Sequence, residues 1–178
     1  MRQGNRSQLC TVVKSKMPLA YLSGPIIHIE DRRDDFYRVV IDLLEEKGVE
    51  VFAPQFYPPA NAGEIYERDV RNVRACDFIV AEVSSPSHGV GMEIMLAIEL
   101  SKPILLFFDS TSGRLSKMVE GAPGKALFNY LDIDDVTQVL DRIDYANLIV
   151  DDCPICESQV VEASKNQLRC VSCNSMTT

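Results

Sequence analysis

Residues 77–108 read DFIVAEVSSPSHGVGMEIMLAIELSKPILLFF. An apolar run at Asp77–Val83 ends in a Ser/Gly-rich loop. A helical stretch at Val90–Ser101 follows, then a second apolar run at Pro103–Phe108. Two short apolar runs joined through an amphipathic or buried helix are the signature of a βαβ unit. The same alternation extends outward. Leu19–Ser23 is a buried-strand pattern stopped by Gly24-Pro25, and Asp31–Lys47 carries Phe36, Val40, Leu43 and Leu44 on a helical stripe closed by Gly48. Val49–Ala53 is a strand before Pro54, and a helix is expected from about Gly63 to Cys76. Downstream come a short helix near Arg114–Glu120, a strand near Ala126–Leu131 and a helix at Asp134–Tyr145.

Strands alternating with helices at this spacing predict an α/β fold: a flavodoxin- or Rossmann-like, doubly wound parallel sheet of five strands, covered on both faces. In such sheets ligands bind outside the carboxyl ends of the strands. Three loops should therefore converge: Ser23–His28, Ser84–Gly91 and Asp109–Lys117.

The chain has 178 residues, with 46% apolar and 25% charged residues and a net charge of −8. No apolar run reaches the roughly 18–20 residues of a membrane span, so no membrane partner is expected. The acidic balance argues against nucleic acid as a partner, because it repels phosphate backbones. Residues 1–29 carry Arg2, Arg6, Lys14 and Lys16 and no acid, which leaves −12 on residues 30–178. Residues 1–17 are expected to be a flexible basic tail, 18–150 the α/β domain, and 151–178 a separate small unit.

That small unit holds Cys153, Cys156, Cys170 and Cys173, two CxxC pairs 13 residues apart. Paired CxxC units without a secretory signal point to metal in a reducing compartment such as the cytoplasm, not to disulfides. Four thiolates close a tetrahedron with no open position, so one structural zinc per chain is expected, and no organic cofactor.

Two carboxylates stand where apolar residues would be normal. Glu93 interrupts the apolar helix GVGMEIMLAIEL in its expected first turn, where the helix N-terminus would lower its pKa and keep it charged, next to the space left by Ala97. The helix, apolar nearly all round, is expected to be buried. Asp69 shares a helical row with Ile65 and Val73, while Glu64, Glu67, Arg68, Arg71 and Arg74 are expected to point away. Desolvation there would suit Asp69 to donate a proton. One anionic carboxylate and one acid are the pair needed to cleave a glycosidic bond. The loop Ser84–Gly91, running into a helix N-terminus, is a candidate anion site.

YLSGP at 21–25, Asp69 ahead of ACDFIVAEV, and PSHGVGMEI at 86–94 followed by SKPILLFF resemble the nucleoside 2′-deoxyribosyltransferase superfamily, nearest to its 2′-deoxynucleoside 5′-phosphate N-hydrolase branch. The resemblance spans about Leu19 to Ile143. It implies Glu93 as nucleophile, Asp69 as general acid and Tyr21 as the group orienting Glu93. It places Ser87 and Gly89 at a 5′-phosphate, with Ser23 and Gly24 of the first loop and Gly91 also among the substrate-binding residues. Ser116, in SGRLSKMVEGA, would reach a neighbouring subunit's phosphate, which implies a homodimer with a shared active site. Pro25 and Ile27 depart from the hydrolase pattern of Ser followed two residues later by Arg, and SGPI is more like the transferase branch. Ser87 points the other way, since transferases usually carry Asp there. Hydrolysis of a nucleoside monophosphate is therefore the leading expectation, with base exchange and a non-catalytic nucleotide sensor as the alternatives.

Overall fold

The computed structural model describes residues 17–26, 33–58, 60–164 and 167–177. The expected basic tail, apart from Met17, lies outside the described residues, as do Ile27 and His28 of the first loop.

The five-stranded sheet is parallel throughout, in the order β2-β1-β3-β4-β5, with β1 Leu19–Ser23, β2 Glu50–Phe52, β3 Phe78–Glu82, β4 Ile104–Asp109 and β5 Lys125–Tyr130. Strand β1 has the expected bounds. The order reverses beside β1, because β2 lies on one side of it and β3 on the other, and that reversal opens a crevice at the carboxyl ends. Helices α1 (Asp34–Glu46) and α5 (Ile133–Asp141) pack against each other, and so do α2 (Ala62–Ala75) and α3 (His88–Glu99). Leu22, Val80 and Phe107 belong to a core with Phe36 and Leu140, whereas Tyr21, Ile79 and Leu106 belong to one with Val73 and Ile94. The alternation along each strand thus separates two apolar layers.

Local signals set the ends of the elements. Gly48 takes a positive φ of 74°, which a residue without Cβ adopts freely, and its N–H closes the end of α1 on Glu45 O. Asn61 and Glu64 form a reciprocal capping box at the start of α2. Helix α3 begins at His88, two residues earlier than expected, with Ser87 as its N-cap. It is not buried all round: Met92 and Met95 are 59% and 51% exposed, so only its Val90, Ile94 and Ala97 side meets the core. Helix α4 is a single turn, Lys117–Glu120.

A second sheet, antiparallel and ordered β6-β7-β8-β9, is built from Leu148–Val150, Val160–Ser164, Gln167–Cys170 and Met176–Thr177. Its first strand starts at Leu148, upstream of the boundary expected at 151. The unit is docked on the α/β body: Val160 and Val171 join the core cluster of Leu140 and Tyr145. Gln159 N donates to Lys125 O at 2.8 Å, and Arg169 Nη2 donates to Arg142 O at 2.7 Å. Among the described residues no helix is long and apolar enough to cross a membrane.

Candidate active site

Strand β1 delivers two hydroxyls to one carboxylate. Tyr21 Oη donates to Glu93 Oε1 at 2.8 Å, and Ser23 Oγ donates to Glu93 Oε2. Tyr21 and Ser23 are two residues apart, so the pleat puts both on the α2/α3 side. Both are fully buried. Ser23, expected among the substrate contacts, therefore spends its hydroxyl on Glu93. Burial together with the negative charge of Glu93 drives the Tyr21 phenol far above its ordinary pKa, so it remains a protonated donor.

The expectation that Glu93 is held charged by the helix N-terminus is corrected. Because α3 starts at His88, Glu93 falls in the second turn, beyond the reach of the terminal dipole. Desolvation dominates instead and pushes its carboxyl up to about 7, although the bonds from Ser23 and Tyr21 favour the anion.

Asp69 and Glu93 line the same cavity of about 380 Å³, between α2 and α3. Ile65, Val70 and Val73 line it too, as the helical row predicts, and so does Arg74, which was expected to point away. Asp69 is not isolated there: Arg68 Nε lies 2.7 Å from its Oδ1. The same guanidinium sits 5.3 Å from the centre of the Tyr57 ring, over its face. Tyr57 packs on Phe52 and Phe52 on Tyr21, at ring separations of 4.8 and 5.4 Å, so aromatic contacts run from the Arg68–Asp69 pair back to the Glu93 donor.

A neighbouring cavity of about 350 Å³ contains Ser87, Gly91, Arg114 and Ser116. Ser87 and Ser116 are each the N-cap of a helix, yet neither uses its side chain to cap. Among the described residues neither hydroxyl has a hydrogen-bond partner. Protein packing does not account for the glycines here, since a Cβ at Gly91 would meet nothing within 4 Å and one at Gly89 only Ser87 Oγ at 3.9 Å. The open space lies beside the first N–H groups of α3, which have no intrahelical acceptors. Gly89 itself lines the Glu93 cavity, so the start of α3 separates the two cavities. Gly24 is different: a Cβ there would run into the Tyr37 ring, whose hydroxyl donates to Pro25 O at 3.1 Å. Ser116 and Ser87 both line this cavity of a single chain.

One buried carboxylate went unread in the sequence. Glu82 ends β3 with no exposure, and its Oε1 accepts from Ser84 N at 3.2 Å, from Ser84 Oγ and from Tyr130 Oη at 3.1 Å. Ser84 Oγ in turn accepts from Asp109 N at 2.8 Å. Glu82 thereby clamps the start of the Ser84–Gly91 loop to the start of the Asp109–Lys117 loop. Burial raises its pKa. A single Glu inside an otherwise apolar strand run is the signal that could have found it.

In the C-terminal sheet the four cysteine sulfurs lie within 4.8 Å of one another, with Cys153–Cys173 and Cys156–Cys170 both at 3.6 Å. Sulfurs around a zinc ion at about 2.3 Å sit about 3.8 Å apart in a tetrahedron, so the donor set fits one such metal. Ile155 N and Ser172 N, each two residues beyond a cysteine, point at Cys153 and Cys170 Sγ at 3.4 Å. Such donors stabilise thiolates.

A family model described as Nucleoside 2-deoxyribosyltransferase matches residues 20–148. The chain is 37% identical over 144 residues to "Putative 2'-deoxynucleoside 5'-phosphate N-hydrolase 1" of Thermofilum pendens, covering 79% of this chain and 88% of that protein. It is 44% identical over 81 residues to the 5-hydroxymethyl-dUMP N-hydrolase of Mus musculus, which is 44% of this chain; it thus spans about half, 47%, of that relative's length. The structure of the Clostridium botulinum CMP N-glycosidase BcmB superposes with a TM-score of 0.58 at 22% identity, over 70% of this chain and 99% of that one, and shares the fold.

Proposed function

This chain belongs to the nucleoside 2-deoxyribosyltransferase family, and on that premise we propose that it hydrolyses the N-glycosidic bond of (2′-deoxy)nucleoside 5′-monophosphates. The observation that carries the reading is the juxtaposition of two cavities: one with the Tyr21- and Ser23-held Glu93 and Asp69, the other with the uncommitted Ser87 and Ser116 hydroxyls. A sugar bridging the start of α3 would put C1′ at Glu93 and the 5′-phosphate at Ser87. The names of the Thermofilum and mouse relatives, both N-hydrolases of nucleoside 5′-phosphates, support the same substrate class.

In the proposed reaction the Glu93 carboxylate attacks C1′, and the C1′–N bond pair leaves with the base. Asp69 gives the departing nitrogen a proton, for which the contact with Arg68 must loosen. Water then attacks C1′ of the glycosyl ester, its proton returns to Asp69, and Glu93 is freed. Tyr21 and Ser23 orient Glu93 throughout. Neutral hydroxyls and N–H groups at Ser87 suit a phosphate, which a carboxylate in that place would repel.

The C-terminal cysteines are proposed to hold one structural zinc per chain, with no role in the chemistry. A homodimer is proposed on the apolar face that α2 and α3 leave open beside the Glu93 cavity, where Tyr66, Met92 and Met95 are each more than half exposed.

The deciding experiment incubates the protein with 2′-deoxynucleosides and their 5′-monophosphates, with and without an acceptor base, and scores free and exchanged base. Free base from monophosphates is the expected product, and Ser87→Asp should remove the preference for monophosphates. Exchange on unphosphorylated nucleosides would instead select base transfer, and no turnover would select a sensor.

A further inference from the structure

We propose that Arg114 is the charge-matching group of the Ser87–Ser116 cavity, the residue that makes this site select a dianionic phosphoryl group over a neutral hydroxymethyl group. The inference deepens the reading above and rests on it. Hydroxyls and backbone N–H groups bond a charged oxygen more strongly than a neutral one, but they bring no full positive charge to offset a dianion. A chain with a net charge of −8 also opposes an incoming dianion, and a local cation is the direct remedy.

Arg114 is placed to be that cation. It lines the same cavity as Ser87, Gly91 and Ser116. Among the residues lining that cavity it is the one arginine, whereas Arg33, Arg68 and Arg169 are ion-paired elsewhere, to Asp109, Asp69 and Glu162. Among the described residues Arg114 has no hydrogen-bond or ion-pair partner. Its loop nonetheless has a fixed root. Asp109 Oδ1 accepts from Thr111 N and Oγ1 at 2.8 and 2.7 Å, and Arg33 Nη2 donates to Ser112 Oγ at 2.9 Å. A cation two residues beyond such an anchor, lining one cavity with the Ser87 and Ser116 hydroxyls, matches a phosphate chemically. The planar guanidinium can give two parallel hydrogen bonds to phosphate oxygens, which a lysine cannot.

The test uses the full chain and two readouts, kcat/KM for the best-cleaved 2′-deoxynucleoside 5′-monophosphate and its nucleoside, and inhibition by inorganic phosphate. For Arg114→Gln we expect monophosphate kcat/KM to fall, mainly through KM, and phosphate inhibition to weaken, each by about ten- to a hundredfold. Nucleoside cleavage should change by less than about threefold. Arg114→Lys should recover part of the loss, since it restores the charge and not the fork. If the wild type prefers the monophosphate and Arg114→Gln keeps both that preference and phosphate inhibition, the role of Arg114 is overturned while the nucleotide reading stands. Equal losses on both substrates would make Arg114 structural and overturn the role as well. A wild type that cleaves nucleosides as well as monophosphates would overturn the nucleotide reading and this inference together.

Discussion

Tyr21 and Glu93 lie 72 positions apart in sequence and 2.8 Å apart at Oη and Oε1. The bond links the central region of the sheet to the second turn of α3 and aims a buried carboxylate into a cavity. Its partner bond from Ser23 leaves neither Glu93 oxygen without a donor. An anion with a fixed orientation and a raised pKa is a stronger nucleophile than a solvated one, but less of it is ionised at neutral pH.

That balance sets the pH dependence. Burial pushes Glu93 up to about 7, and attack requires its ionised form. The kcat/KM profile for base release should therefore climb with pH through a limb centred near 7. Tyr21→Phe removes a donor that favours the anion, so the limb should move to higher pH and the rate at pH 7 should drop. A limb near pH 4.5, or one that Tyr21→Phe leaves in place, would speak against the assignment.

Glu82 supplies a stability prediction. Replacing it with Leu leaves Ser84 N–H, Ser84 O–H and Tyr130 O–H without their buried acceptor. A loss of roughly 2–4 kcal/mol is expected in urea unfolding, whereas Gln, which keeps an acceptor oxygen, should cost less than about 1 kcal/mol. Equal costs for the two variants would remove the clamp from the account.

For the cysteine cluster, elemental analysis of protein purified without chelator should find one zinc per chain. Because Val160 and Val171 belong to the main core, stripping the metal or making Cys156→Ser should lower the Tm of the whole chain and not merely loosen its end. Metal-free protein whose Tm is indifferent to chelator would contradict this.

The strands were legible because apolar runs stop at strong punctuation: Leu19–Ser23 before Gly24-Pro25 has its expected bounds. The start of α3 was missed because His88 and Gly89 extend the look of a loop, although Ser87 is an ordinary N-cap signal. That two-residue shift also changed the electrostatics of Glu93. Asp69 lies on the expected row, and helical spacing puts adjacent residues on different faces. On the sequence alone a long Arg68 or Arg71 side chain could still reach it, and only the structure selects Arg68. The docking of the cysteine unit was not readable either. It rests on Val160 and Val171 in short strands, and on Arg142 and Arg169 reaching backbone carbonyls, contacts that no periodicity announces.

The central claim, that Glu93 is the nucleophile of a nucleotide N-glycosidase, is tested most directly by measuring free base released from 2′-deoxynucleoside 5′-monophosphates by wild type and by Glu93→Gln. Gln keeps the size of the side chain and lifts the burden of a buried carboxylate. Above pH 7 the unfolded and folded wild-type chains both carry the charge, and the folded one bears its desolvation, so the variant should be no less stable at pH 8. Base release should fall at least about a thousandfold with the fold intact, as loss of an attacking group demands. A folded Glu93→Gln protein that keeps a tenth or more of wild-type release would contradict the account.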